Sequence, residues 1–256
     1  MRNVWITPVV LACAMLAGCG GSQAVRDDNG SGGQASPAQV NTRLGIAYMR
    51  RGDHEVALEK LTRAVRQDPE YVDAHTGLAV LYEEINKPDK AREHYEKAAD
   101  LAPDNGNVHN NLGQLLCKQG EYEAAEGHFL KAVDDPFYDT PAVAYTNAGI
   151  CAQRVPDPGR AEEFYRAALD ERKDYPEALY RLSKLKYENG QWMSARAFLQ
   201  RYMDAAPAAP RVLLLGVRIE RKLGDEKSAA EYAAMLNKQF PDSPEARRLA
   251  ELNDND

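Results

Sequence analysis

His75 and His109 stand 34 residues apart, and so do His94 and His128. Imidazoles on so regular a spacing could ligate a metal, since histidine and cysteine are the usual zinc donors. No C-x-x-C or H-E-x-x-H is present, however, to supply the clustered donors such a site uses. Each pair recurs at one position of a duplicated unit, so duplication accounts for the spacing, and no metal site is expected. Cys117 and Cys151 are also 34 apart. Neither has a base placed beside it in sequence, which argues against a thiol nucleophile. Their positions within the unit differ by two. That offset favours two free thiols, although an oxidising compartment would permit a bridge. Asn111 and Asn147 offer a third chemistry, because a side-chain amide both donates and accepts and can bind the backbone of an extended peptide. Lys118 and Arg154 lie near them in register; the alternative is that both amides serve helix ends or solvent. No catalytic constellation emerges, and an enzyme is not expected.

The elements that carry these residues are short helices in a repeated pattern. Val72–Asn105 reads as two helices and a stop at Pro103, where a residue lacking a backbone N–H ends the second helix. Too little apolar surface exists in one such hairpin for it to fold alone. Ala57, Ala91, Ala125, Ala161, Ala195 and Ala229 mark the second helix of six copies at spacings of 34, 34, 36, 34 and 34. Alanine there allows two helix axes to approach closely. Gly45, Ala79, Gly113, Gly149 and Ser183 supply the facing small position, and the sixth copy departs with Val217. Leu44, Leu78, Leu112 and Leu182 are the large residues expected to pack beside it. Leu61, Tyr95, Phe129, Tyr165 and Leu199 are expected to be buried on the second helices. Gly52, Asn86, Gly120, Gly190 and Gly224 mark the turns.

These residues resemble the tetratricopeptide repeat (TPR). The resemblance implies an all-α fold, a right-handed α-solenoid of six helix-turn-helix repeats with a short C-terminal capping helix. The repeats would span residues 38–71, 72–105, 106–139, 142–175, 176–209 and 210–243, with an insertion near Thr140–Pro141 behind the single 36 spacing. Ser243 and Pro244 would cap the final helix within residues 244–256, serine as N-cap and proline in the first turn.

The 256 residues carry a formal charge of −7, which opposes an electrostatic grip on nucleic acid. Residues 1–18 hold Arg2 and an apolar run from Val4 to Leu16, the length of a secretory signal rather than a membrane span. Leu16-Ala17-Gly18-Cys19 resembles the bacterial lipobox. That resemblance implies cleavage before Cys19, an N-acyl diacylglycerol modification of Cys19, and no other cofactor. Gly20, rather than Asp, implies sorting to the periplasmic face of the outer membrane of a Gram-negative cell. Three acyl chains exceed what stable anchoring needs. Residues 19–37, with five Gly and three Ser from Gly20 to Pro37, read as a flexible tether with a reach of about 20–25 Å.

In TPR proteins the exposed positions of the first helices line a concave groove. Here that groove runs from apolar (Ile46, Met49, Val80) through amide-rich (Asn107, Asn110, Gln114) to basic (Arg218, Arg221, Lys222). Apolar residues where solvent is expected make Ile46, Met49 and Val80 a candidate partner site; packing against the tether or an N-terminal helix extension would also explain them. Lipobox, tether, six repeats and the fourth copy from Ala144 to Leu169 together resemble the type IV pilus biogenesis lipoproteins of the PilF/PilW family. The resemblance implies a pilotin that binds secretin subunits, brings them to the outer membrane and promotes their multimerisation, with no small-molecule substrate. A TPR lipoprotein adaptor for barrel assembly or peptidoglycan synthesis is the alternative.

Overall fold

The computed structural model describes residues 35–155 and 158–254. Cys19 and most of the expected tether lie outside them. Six helix pairs follow one another: α1 (Pro37–Arg50) with α2 (His54–Gln67), α3 (Val72–Glu84) with α4 (Pro88–Leu101), α5 (Gly106–Gln119) with α6 (Tyr122–Asp134), α7 (Pro141–Ala152) with α8 (Pro158–Glu171), α9 (Pro176–Glu188) with α10 (Trp192–Ala205), and α11 (Pro210–Leu223) with α12 (Glu226–Gln239). A last helix, α13 (Pro244–Asp254), packs against α11 and α12. Each pair packs on the next, and the stack is a right-handed α-solenoid of TPR type.

Local chemistry explains where these helices begin and end. Ser36 starts α1 with a reciprocal cap, its Oγ accepting from the Gln39 N–H at 3.2 Å while Gln39 Oε1 accepts from the Ser36 N–H at 2.9 Å. Pro37, Pro88, Pro141, Pro176 and Pro210 open five helices at a position where no N–H is needed. Ser243 Oγ accepts from the Ala246 N–H at 3.1 Å and so caps α13. The hairpin turns pass through the left-handed region at Gly52, Asn86, Gly120, Gly190 and Gly224, with φ of 81°, 54°, 87°, 73° and 74°. These are the five residues the sequence marks as turns.

Small-to-large contacts inside each pair build the core. Leu61, Tyr95, Phe129, Tyr165 and Leu199 are all at most 2% exposed. A β-carbon added to Gly45 would stand 2.5 Å from Leu61 Cγ, one on Gly113 2.8 Å from Phe129 Cε1, and one on Gly149 2.5 Å from Tyr165 Cε1. The glycines are therefore required for the helices to approach. In the sixth pair the contact slips by one residue, because Gly216 rather than Val217 receives the Tyr232 ring. Glu220, a departure from the repeat pattern, is buried and paired with Arg196 of α10, which also reaches Asp225 at 3.3 Å.

One core expectation is corrected. Leu78, Leu112 and Leu182 are buried, but Leu44 is 42% exposed and Val40 43%. The face they occupy is covered in later copies by the preceding pair, and no pair precedes α1 among the described residues.

Candidate partner-binding groove

The first helices bury most of their surface against their partners and leave one stripe open. Ile46, Val80, Gln114, Ile150, Lys184 and Arg218 hold the same register position on α1, α3, α5, α7, α9 and α11, and each is half-buried. At the N-terminal end Met49 packs on the cluster of Ala57, Leu61, Leu78 and Leu81, and Val80 packs on the next cluster, around Ala79, Tyr95 and Leu112. Ile46 lies beside Gly77, whose missing β-carbon would come within 3.9 Å of Ile46 Cγ1. The three candidate residues thus sit at the junction of α1 and α3, part of each side chain in the core and part open. Exposed Val40 and Leu44 add apolar area on the same helix, which the repeat register assigns to the interior.

The middle of the groove is tied by internal bonds. Asn147 donates from its side-chain amide to Asn110 Oδ1 at 2.9 Å, joining α7 to α5. Asn111 is half-buried and makes no side-chain hydrogen bond among the described residues. Lys118 is engaged by Glu83 at 2.7 Å, and Glu83 also accepts from the Tyr95 hydroxyl at 2.9 Å. Tyr165 repeats that bond two copies on, donating to Gln153 Oε1 at 2.7 Å. Burial raises both tyrosine hydroxyls far above their ordinary pKa.

Between these two copies the arrangement changes. Phe129 has no hydroxyl to donate, and the residue in the place of Glu83 and Gln153 is Cys117, which forms a disulfide with Cys151. This overturns the expectation of two free thiols. Residues at identical positions on neighbouring first helices point the same way and cannot meet. An offset of two residues turns a side chain by about 200° around a helix and faces it back towards its neighbour. The offset that argued against a bridge is what permits it: the two Cα atoms lie 5.7 Å apart, across α5 and α7.

The C-terminal end of the groove is cationic and aromatic. Arg211 stacks over the Tyr180 ring at 4.3 Å, and Glu177 accepts from Arg181 Nε at 2.8 Å and from Arg211 Nη2 at 2.5 Å. Burial works to raise the Glu177 pKa, but those two guanidiniums outweigh it and hold the carboxyl below its ordinary value. Arg218 and Lys222 have no acidic partner among the described residues.

The histidines bond to one another. His109 Nε2 is 2.6 Å from Pro103 O, and a carbonyl can only accept, so this nitrogen carries the proton. His109 Nδ1 therefore accepts from His128 Nδ1, 3.0 Å away. His75, Pro69 O and His94 repeat the arrangement at 3.0 Å for both contacts. Each pair fastens a first helix to its second helix and to the loop before it. Burial, then the neighbouring imidazole, lowers His94 and pulls His128 down to about 4.

The fold and the stripe define a protein-binding helical scaffold, and comparison with known proteins makes the class specific. Two tetratricopeptide-repeat family models match, one over residues 42–106, 84–140 and 110–178, the other over 157–216. The chain is 30% identical over 240 residues to the type IV pilus assembly protein PilF of Pseudomonas aeruginosa, covering 93% of this chain and 94% of that one. The crystal structure of PilW, a type IV pilus biogenesis factor, superposes with a TM-score of 0.76 at 30% identity, covering 85% of this chain and all of that one. The structure of P. aeruginosa PilF gives 0.72 at 29%, covering 84% and 97%. This chain belongs to the PilF/PilW family of TPR proteins of type IV pilus biogenesis.

Proposed function

We propose that this chain is a non-enzymatic pilotin, lipid-anchored through Cys19 to the periplasmic face of the outer membrane, whose first two repeats bind a hydrophobic segment of the secretin subunit. The observation that carries the reading is the half-open apolar trio Ile46, Met49 and Val80 in the first two repeats. A partner side chain entering there removes from water apolar surface the fold has left uncovered. The anchor and tether confine the groove to the membrane surface and raise its effective concentration for subunits arriving there. Membership of the pilus biogenesis family over nearly the whole chain supports the choice of partner class.

The test is direct. Ile46→Asp combined with Met49→Asp should abolish secretin binding while leaving helical content unchanged. Cys19→Ser should leave the solenoid folded but released into the periplasm. In a strain lacking the gene, secretin multimers should disappear from outer-membrane fractions and return with the wild-type gene only. Multimers undiminished in the deletion strain would refute the proposal.

A further inference from the structure

Five loops that lead from a second helix into the next helix make the same turn. Tyr71 N–H donates to Asp68 O at 3.2 Å, and Asn105 to Ala102 O, Tyr138 to Asp135 O, Tyr175 to Arg172 O and Ser243 to Phe240 O, each at 3.1 Å. The third residue of each turn is its exposed apex. Four of these are acids, Glu70, Asp104, Asp174 and Asp242; the fifth is Phe137, 88% exposed. The turn itself does not need phenylalanine there, because four sister turns close with a carboxylate in its place.

Nor is the ring exposed through slackness of its loop. Asp135 Oδ1 accepts from the Phe137 N–H and Oδ2 from the Gly106 N–H, both at 2.9 Å, which ties the turn to the start of α5. The next residue, Tyr138, is buried against Ala132 and Ala144 and lies so close to Gly106 that a β-carbon there would stand 2.7 Å from Tyr138 Cβ. The loop between the third and fourth repeats thus has a fixed base and an outward aromatic. Beside the ring lies an open cleft of about 970 Å³, whose charged lining is Asp104, Asp134 and Asp135 against Lys131 alone. A large apolar side chain on a rigid base, with water excluded around it on docking, is what binding hot spots are made of. The negative surround disfavours an anionic lipid surface and favours a basic one.

We propose that Phe137 anchors a second docking surface, on the loop edge between the third and fourth repeats, for a protein partner that presents an apolar socket rimmed by lysine or arginine. The surface is separate from the first-repeat groove, and its test does not depend on the secretin assignment.

A photo-crosslinking residue, p-benzoylphenylalanine, is placed at position 137 of the full chain in living cells, and at the sister apex Glu70 as control. The expected result is an adduct at 137, absent at 70, that mass spectrometry maps to an apolar segment of one protein with lysine or arginine flanking it. Co-purification of that protein should fall at least about tenfold with Phe137→Glu and fall again in about 0.5 M salt, while the thermal midpoint of the variant is unchanged. Phe137→Ser separates loss of the ring from added charge and should weaken the complex by a similar factor. The proposal is overturned if position 137 gives no more adduct than position 70, if the adduct is lipid or a second copy of this chain, or if Phe137→Glu retains the partner within about twofold.

Discussion

Two glycines in neighbouring repeats should respond oppositely to the same substitution. Gly127 lies inside α6, exposed, and a β-carbon there meets nothing within 4 Å. Gly127→Ala should therefore return the full helix-propensity gain of about 0.8–1 kcal/mol. Gly149 lies inside α7, and its β-carbon would stand 2.5, 2.7 and 3.0 Å from Tyr165 Cε1, Cδ1 and Cζ. Ordinary carbon contacts need about 3.5–4.0 Å, so ring or helix must give by about an ångström. The ring has nowhere to go: Tyr165 is fully buried and its hydroxyl is held by Gln153 at 2.7 Å. Overpacking costs about 1–3 kcal/mol and a lost hydrogen bond about 1, against the same propensity gain, leaving Gly149→Ala destabilised by about 1–3 kcal/mol. Urea denaturation followed by circular dichroism at 222 nm reads both variants, with hydrogen exchange on α7 and α8 to catch loosening confined to one repeat. Tyr165→Leu on the Gly149→Ala background should recover part of the loss, a coupling of at least about 1 kcal/mol. If Gly149→Ala is as stable as Gly127→Ala, or that coupling is zero, close approach at this position is not what selects glycine.

Closing a 34-residue loop, the Cys117–Cys151 bond should contribute up to about 4 kcal/mol on the chain-entropy model, so Cys117→Ala with Cys151→Ala and reductant on the wild type should lower the urea midpoint equally. With His128 held near 4 in the fold and about 6.5 unfolded, the unfolded chain binds the extra proton between those values. Stability should therefore fall as pH drops from about 6.5 to 4, and the urea midpoint should fall less steeply in His128→Gln. Asn86→Ala forces a β-carbon-bearing residue without a helpful amide into the left-handed region and should cost about 1 kcal/mol in the same assay, whereas Asn86→Gly should be neutral or better. Arg196→Ala strands the buried Glu220 carboxylate and should cost about 3 kcal/mol or more, with Arg196→Ala/Glu220→Leu less damaging than the single change.

Repetition made the architecture legible in the residues themselves. A register of alanines, glycines and large apolar side chains recurring about every 34 residues specifies a helix pair and its stacking, because helix periodicity and close packing act locally and recur identically in each copy. The turn residues at positive φ follow from the same local logic, as does the serine–proline start of α13. What one register cannot report is how unlike positions in neighbouring copies meet. Cys117 and Cys151, Asn110 and Asn147, and Arg196 and Glu220 find each other only because stacked helices turn particular faces together, and an offset of two residues on a helix reverses a direction. Tertiary structure alone also exposed Leu44, which its register assigns to the core, since burial depends on having a neighbour. Likewise the 36-residue spacing announced an insertion near Thr140–Pro141 but gave no sign that the turn just before it buries Tyr138 and holds Phe137 out in water.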